Sequence, residues 1–254
     1  MRKRIWIIGL TAGMLLLAVM MVNFAGCAKT ENALLSEFSD MTQEAPTPQG
    51  LAEAVSFIDK HIGDVSEEGA SRLVLAYEDF LLRYVEAGGE TPVDYDALRV
   101  SYGEYVSPEL RELYAIKALE ASEPSTQDAQ ILPSYPDLLD RALSAENLLQ
   151  EHRSEDALRA NTLEYYKDYL FLLLAGSDRS PMFDYDSGSF SPEAREAYED
   201  FIITHPDTIL AGTLTEYFDY LNNAGFHIDY ADPVENKVFY DTCDYLIEKA
   251  LESL

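Results

Sequence analysis

Cysteine is scarce in this 254-residue chain: only Cys27 and Cys243 occur, and neither has a second cysteine nearby. The four histidines, His61, His152, His205 and His227, lie in separate segments without i, i+4 pairing. No zinc site can therefore be read from spacing. Also absent are HExxH, GxSxG, SxxK, a GxxxxGK phosphate loop and a GxGxxG turn, which removes the easily read hydrolase, NTPase and dinucleotide signatures. Positive charge is short too. With 18 Lys and Arg against 46 Asp and Glu the formal net charge is −28. Such a chain repels nucleic acid phosphates and anionic headgroups and attracts cations and basic partners, so no nucleic acid is expected to bind it. Carboxylates are so abundant that a general acid and base pair could be assembled almost anywhere, and proximity in sequence carries no weight for a glycosidase mechanism. The expectation is a noncatalytic protein with no cofactor and no metal.

Alternating strand patterns are scarce as well, and what is present is helical spacing. Leu73, Tyr77, Phe80 and Tyr84 recur at intervals of three and four, as do Leu163, Tyr166, Leu170 and Leu173. Helices are predicted near 51–62, 67–87, 108–121, 136–151, 155–175, 192–203, 207–223 and 233–253. The fold class is all-α. A second level of pattern lies above these helices. Tyr77-Glu78-Asp79-Phe80-Leu81, Tyr166-Lys167-Asp168-Tyr169-Leu170 and Tyr217-Phe218-Asp219-Tyr220-Leu221 are one phrase written three times. Each copy is followed by an Asp-Tyr pair (Asp94-Tyr95, Asp184-Tyr185, Asp229-Tyr230). A helix opening comes next, at Ser107-Pro108, Ser191-Pro192 or Asp232-Pro233, and then an aromatic, Tyr114, Tyr198 or Phe239. Ser or Asp at an N-cap with Pro at the first helical position is a mechanical signal for a helix start. Glu235 can complete a capping box with Asp232. The reading is an irregular stack of diverged helical hairpins in three copies. It is loosely similar to tetratricopeptide arrays, without their fixed 34-residue period.

Within each phrase two aromatics and a leucine, such as Tyr77, Phe80 and Leu81, sit at i, i+3 and i+4 on one helical face, and the aromatics are expected to be core. The repeated Asp has no shared explanation: Asp79 can pair with Arg83, but Asp168 meets Leu172 and Asp219 meets Asn223 at that offset. The Asp-Tyr loops are the candidate ligand or partner contacts: Asp94, Tyr95, Asp184, Tyr185, Asp229 and Tyr230. Calcium fits them poorly. In an EF-hand register opened at Asp184, position six is Ser189 rather than Gly and position twelve is Arg195 rather than Glu. Ordinary turns, in which Asp satisfies nearby backbone groups, are the simpler expectation.

At the N-terminus Arg2, Lys3 and Arg4 precede an apolar run from Ile5 to Val22, and Phe24-Ala25-Gly26-Cys27 closes it. This arrangement resembles a bacterial lipoprotein signal. The resemblance implies cleavage after Gly26, lipid on the Cys27 thiol and a mature chain tethered outside the cytoplasmic membrane, and it implies no activity. An uncleaved transmembrane anchor over Ile5 to Phe24 is the alternative. Positive charge before the segment exports the remainder either way. Without the signal, 15 basic residues face 46 acidic ones, a net −31. With Cys27 lipidated, Cys243 has no partner in the chain and is expected to be a buried, inert thiol. The domain expectation is a signal peptide over 1–26, a lipidated Cys and flexible tether over 27–50, and one all-α repeat domain over 51–254. Three functions are compatible: a lipid-anchored, noncatalytic binding or scaffold module for an extracytoplasmic protein or cell-wall partner; a capture lipoprotein for a sugar, peptide or cation; and an envelope hydrolase of unidentified mechanism.

Overall fold

The structure is a computed structural model describing residues 30–90, 92–154 and 156–254. The signal pattern and the lipid attachment expected at Cys27 lie outside the described residues. Among the described residues no helix is long and apolar enough to cross a membrane. The chain is all-α, as its periodicity predicts, and divides into two compact units at Pro108/Glu109.

The first unit begins earlier than expected. Residues 30–42, assigned above to a flexible tether, form a helix, α1. Its Leu34, Phe38 and Met41 recur at helical spacing, and Phe38 is only 1% exposed, with its ring 5.5 Å from that of Phe57. So short an amphipathic helix is stable because a tertiary partner covers its apolar face. Helix α2 (Pro48–His61) follows, opened by the side chain of Thr47, which accepts the Gly50 N–H. A single 3-10 turn (Ile62–Asp64) leads to α3 (Glu67–Glu86), capped by Ser66. Glu31 of α1 accepts from both the N–H and the hydroxyl of Ser66 at 2.9 Å, so α1 and the start of α3 are tied directly. A short helix, α4 (Tyr95–Tyr102), takes the place of the first Asp-Tyr loop and starts where Asp94 accepts the Ala97 N–H.

The second unit opens with α5 (Pro108–Ser122). A ribbon of two-residue strands follows, β1 (Thr126–Gln127) with β2 (Gln130–Ile131), and then α6 (Tyr135–Glu151) and α7 (Ala157–Leu174). A second ribbon, β3 (Gly176–Ser177) with β4 (Ser180–Pro181), precedes α8 (Pro192–Thr204), α9 (Ile209–Asn223) and α10 (Pro233–Glu252). Helices α6 and α7 pack as a hairpin, and α10 lies against α7 and α9. The ribbons meet: the Ala129 carbonyl accepts from the Arg179 N–H at 2.9 Å and from Ser177 Oγ at 2.8 Å.

The repeated aromatics are core except Tyr220, which is half-buried. Tyr166 and Tyr217 are fully buried and Tyr77 nearly so, and Tyr114, Tyr198 and Phe239 are sealed as well. A buried phenol needs a partner for its hydroxyl. Tyr198 donates to the Leu173 carbonyl at 2.5 Å and Tyr217 to the Leu174 carbonyl at 2.8 Å. Both carbonyls belong to the last turn of α7, where the intrahelical ladder has no donors left. The two hydroxyls therefore close the C-terminal end of α7. Its neighbour α9 is held at the opposite kind of end. The carboxylate of Glu146, fully buried on α6, accepts the Ile209 and Leu210 N–H groups at 2.8 Å and the Tyr166 hydroxyl at 3.0 Å. A carboxylate at a helix N-terminus meets both free donors and the positive end of the dipole.

Candidate functional site

The chain leaves α7 through a turn that only glycine fits. Gly176 has φ +75°, and a Cβ there would lie 2.6 Å from the Ser180 carbonyl oxygen. Past the ribbon, Phe183 and Phe190 bridge each other and are buried, which pinches residues 184–189 into a loop. Asp184 organises it: its side chain accepts the Ser187 N–H at 2.7 Å and the Asp186 N–H at 3.1 Å. Those bonds from Ser187 hold the Asp184 carboxyl below its ordinary value. Gly188, at φ +66°, then runs against the 226–228 segment. Its carbonyl accepts the Ile228 N–H at 3.0 Å, and a Cβ at this position would strike the Ile228 carbonyl and the His227 ring. The Phe190 N–H donates to the Phe226 carbonyl at 3.0 Å, completing the clasp.

This clasp brings the second and third Asp-Tyr loops together. The rings of Tyr185 and Tyr230 lie 5.0 Å apart at 51°, and Tyr230 sets its edge against Phe183 at 6.4 Å. Tyr185 is 60% exposed, its hydroxyl donating to the Asp178 carbonyl at the tip of the second ribbon, 3.2 Å away. Tyr240 of α10, 41% exposed, adjoins them through Phe239: its ring lies 5.0 Å from that of Phe239, which stands at 87° to Phe183, 5.3 Å away. Burial, and then the neighbouring Tyr240, push the Tyr230 phenol up. Burial, and then Tyr185, do the same to Tyr240. Both are neutral at physiological pH, so the patch offers ring faces and hydroxyls rather than phenolates.

The roles of the predicted residues separate cleanly. Asp184 and Asp229 shape their loops, the latter accepting the Ala231 N–H at 2.8 Å. Tyr185 and Tyr230 form the surface. Asp94 is an N-cap and Tyr95 opens α4, half-buried, in the first unit. Glu235 does not close a box on Asp232; it accepts the Asp229 N–H at 2.8 Å and so pins the third loop. Among the described residues no group of three or more His, Cys, Asp or Glu is placed to hold a metal ion. Tyr240 was missed because it stands beside Phe239, and the repeat pattern assigned only Phe239. One helix cannot bury two successive rings on the same face, so the adjacency itself was the available signal.

Fold and surface together define an all-α protein whose second unit displays a tyrosine platform held by turn-forming carboxylates. Comparison with protein-family models, with curated proteins and with solved structures gave no match.

Proposed function

We propose that the chain is a lipid-anchored, extracytoplasmic and noncatalytic binding module, and that Tyr185, Tyr230 and Tyr240 are its contact surface for a basic protein or cell-wall partner. The observation that carries this reading is the meeting of two repeat loops in one exposed aromatic patch, with Tyr185 at 60% exposure. Tyrosine gives large contact area at low conformational cost and is enriched where binding energy concentrates. Folding alone does not require such exposure, since the buried tyrosines already fill the core. The sign of the partner follows from charge: 46 acidic residues against 18 basic ones favour a cationic surface, and cations also gain from standing over neutral phenol faces. The membrane link rests on the signal pattern that ends at Cys27.

The test is binding of the immobilised protein to an envelope fraction, with and without Tyr185→Ala plus Tyr240→Ala. Retention that the double variant loses and that salt weakens supports the reading. Equal retention by the variant, at unchanged melting temperature, sinks it.

A further inference from the structure

Helix α1 starts at Thr30, so only Ala28 and Lys29 separate it from Cys27. Whatever conformation those two residues take, three peptide steps span at most about 11 Å. A flexible coil over 27–50, the expectation from composition, would reach about 25 Å by the square-root rule. The first unit is thus on a far shorter leash than a tether would give it.

The leash is short only if α1 belongs to the folded unit, and α1 is held along its whole length. Near its start the Glu31 carboxylate accepts the Ser66 N–H and hydroxyl, both at 2.9 Å. It sits where the first turn of α3 leaves N–H groups free and the helix dipole is positive. Gly69 makes the space for it, since a Cβ there would lie 2.7 Å from Glu31 Oε1. In the middle, Phe38 is sealed against Phe57 of α2. At the end the Thr42 carbonyl accepts from Arg83, in the last turn of α3, at 2.8 Å. Start meets start and end meets end, so α1 and α3 run side by side in the same direction. The first unit therefore has a near end, where both helices begin, and a far end: Glu68 and Glu86 of α3 stand about 27 Å apart at 1.5 Å per residue.

We infer that the first unit is seated directly on the lipid surface, with the start of α3 toward the bilayer and the end of α3 away from it. The placement rests on the lipid attachment to Cys27 proposed above. Asp64, Glu67 and Glu68 are exposed at the near end. Neither neutral nor anionic headgroups draw in such a surface, so the covalent leash and the docked α1, rather than charge, hold the unit down.

For the test the full chain is expressed in a bacterial host and reconstituted in phosphatidylcholine vesicles that carry an energy acceptor on their headgroups. A fluorescent amino acid at position 68 or 86, both exposed, is the donor. Transfer from 68 should be at least twice that from 86. A Gly-Ser insertion of about twelve residues between Lys29 and Thr30 adds roughly 20 Å of reach and should lower the signal from 68 at least twofold. Equal transfer from 68 and 86, or a signal from 68 that the insertion leaves unchanged, overturns the inference while flotation with the vesicles upholds the anchor. A chain that does not float sinks the lipid-anchored reading itself, and the placement with it. None of these outcomes bears on the tyrosine platform.

Discussion

Replacing Glu146 by alanine removes one acceptor group that four donors share: the N–H groups of Ile209 and Leu210, the Tyr166 hydroxyl and the Gln150 side-chain amide. Gln150 can turn to water, but Leu210 and Tyr166 are fully buried and cannot. Each buried donor left without a partner costs about 1–3 kcal/mol, so the two together set a loss of about 4 kcal/mol. For a unit of this size each kcal/mol moves the midpoint by about 2–4 °C, giving a fall of about 8–16 °C. Glu146→Gln keeps one carbonyl oxygen but turns an NH2 group toward the N-terminus of α9, and should fall between the two. Thermal melts followed by circular dichroism at 222 nm measure both variants. An alanine variant within about 1 kcal/mol of the parent would refute the assignment of Glu146 as the anchor of α9.

Other outcomes follow from single sites. Ala129 holds φ +59° beside Asp128 at φ +51°, a turn conformation that costs a residue with a Cβ. Ala129→Gly should raise stability by up to about 1 kcal/mol in urea denaturation, the relief of left-handed strain exceeding the added freedom of the unfolded chain. Glu120 is pushed up by burial, but hydrogen bonds from Ser125, Arg141 and Tyr169 outweigh this and hold it below its ordinary 4.5. The unfolded chain therefore takes the proton first: the stabilisation is complete above that value and is lost as pH falls through the folded one. Glu120→Gln should flatten the acid limb of stability against pH, and an unchanged limb would contradict the assignment. Cys243 is buried and its thiol is raised first of all by burial. Alkylation by iodoacetamide at neutral pH should be blocked in the folded protein and appear only in denaturant.

Helix openings were legible because Ser, Thr, Asp and Pro act locally: the starts at Pro108, Pro192 and Pro233 coincide with the predicted ones. The buried repeat aromatics were legible for a similar reason, since spacing alone sets the face of a helix. Helix α1 was not, because Pro46 and Pro48 and a polar composition resemble a linker until Phe57 is known to cover Phe38. The ribbons were invisible at two residues per strand, and the Asp128-Ala129 turn lacks the glycine that marks such turns. The candidate loops were identified by repetition, but their meeting depends on the clasp between Gly188 and Ile228, a long-range contact with no local signature.

The most direct test of the central claim places a photo-crosslinking phenylalanine derivative at position 185 or 240, with position 105, an exposed tyrosine of the first unit, as the control. Irradiation on an envelope preparation should give one discrete adduct from 185 and 240 and none from 105. Excess unlabelled parent protein should suppress it, and the Tyr185→Ala, Tyr240→Ala protein should not. No adduct at 185 and 240, or the same products from 105, would contradict the assignment of the tyrosine platform as the binding surface.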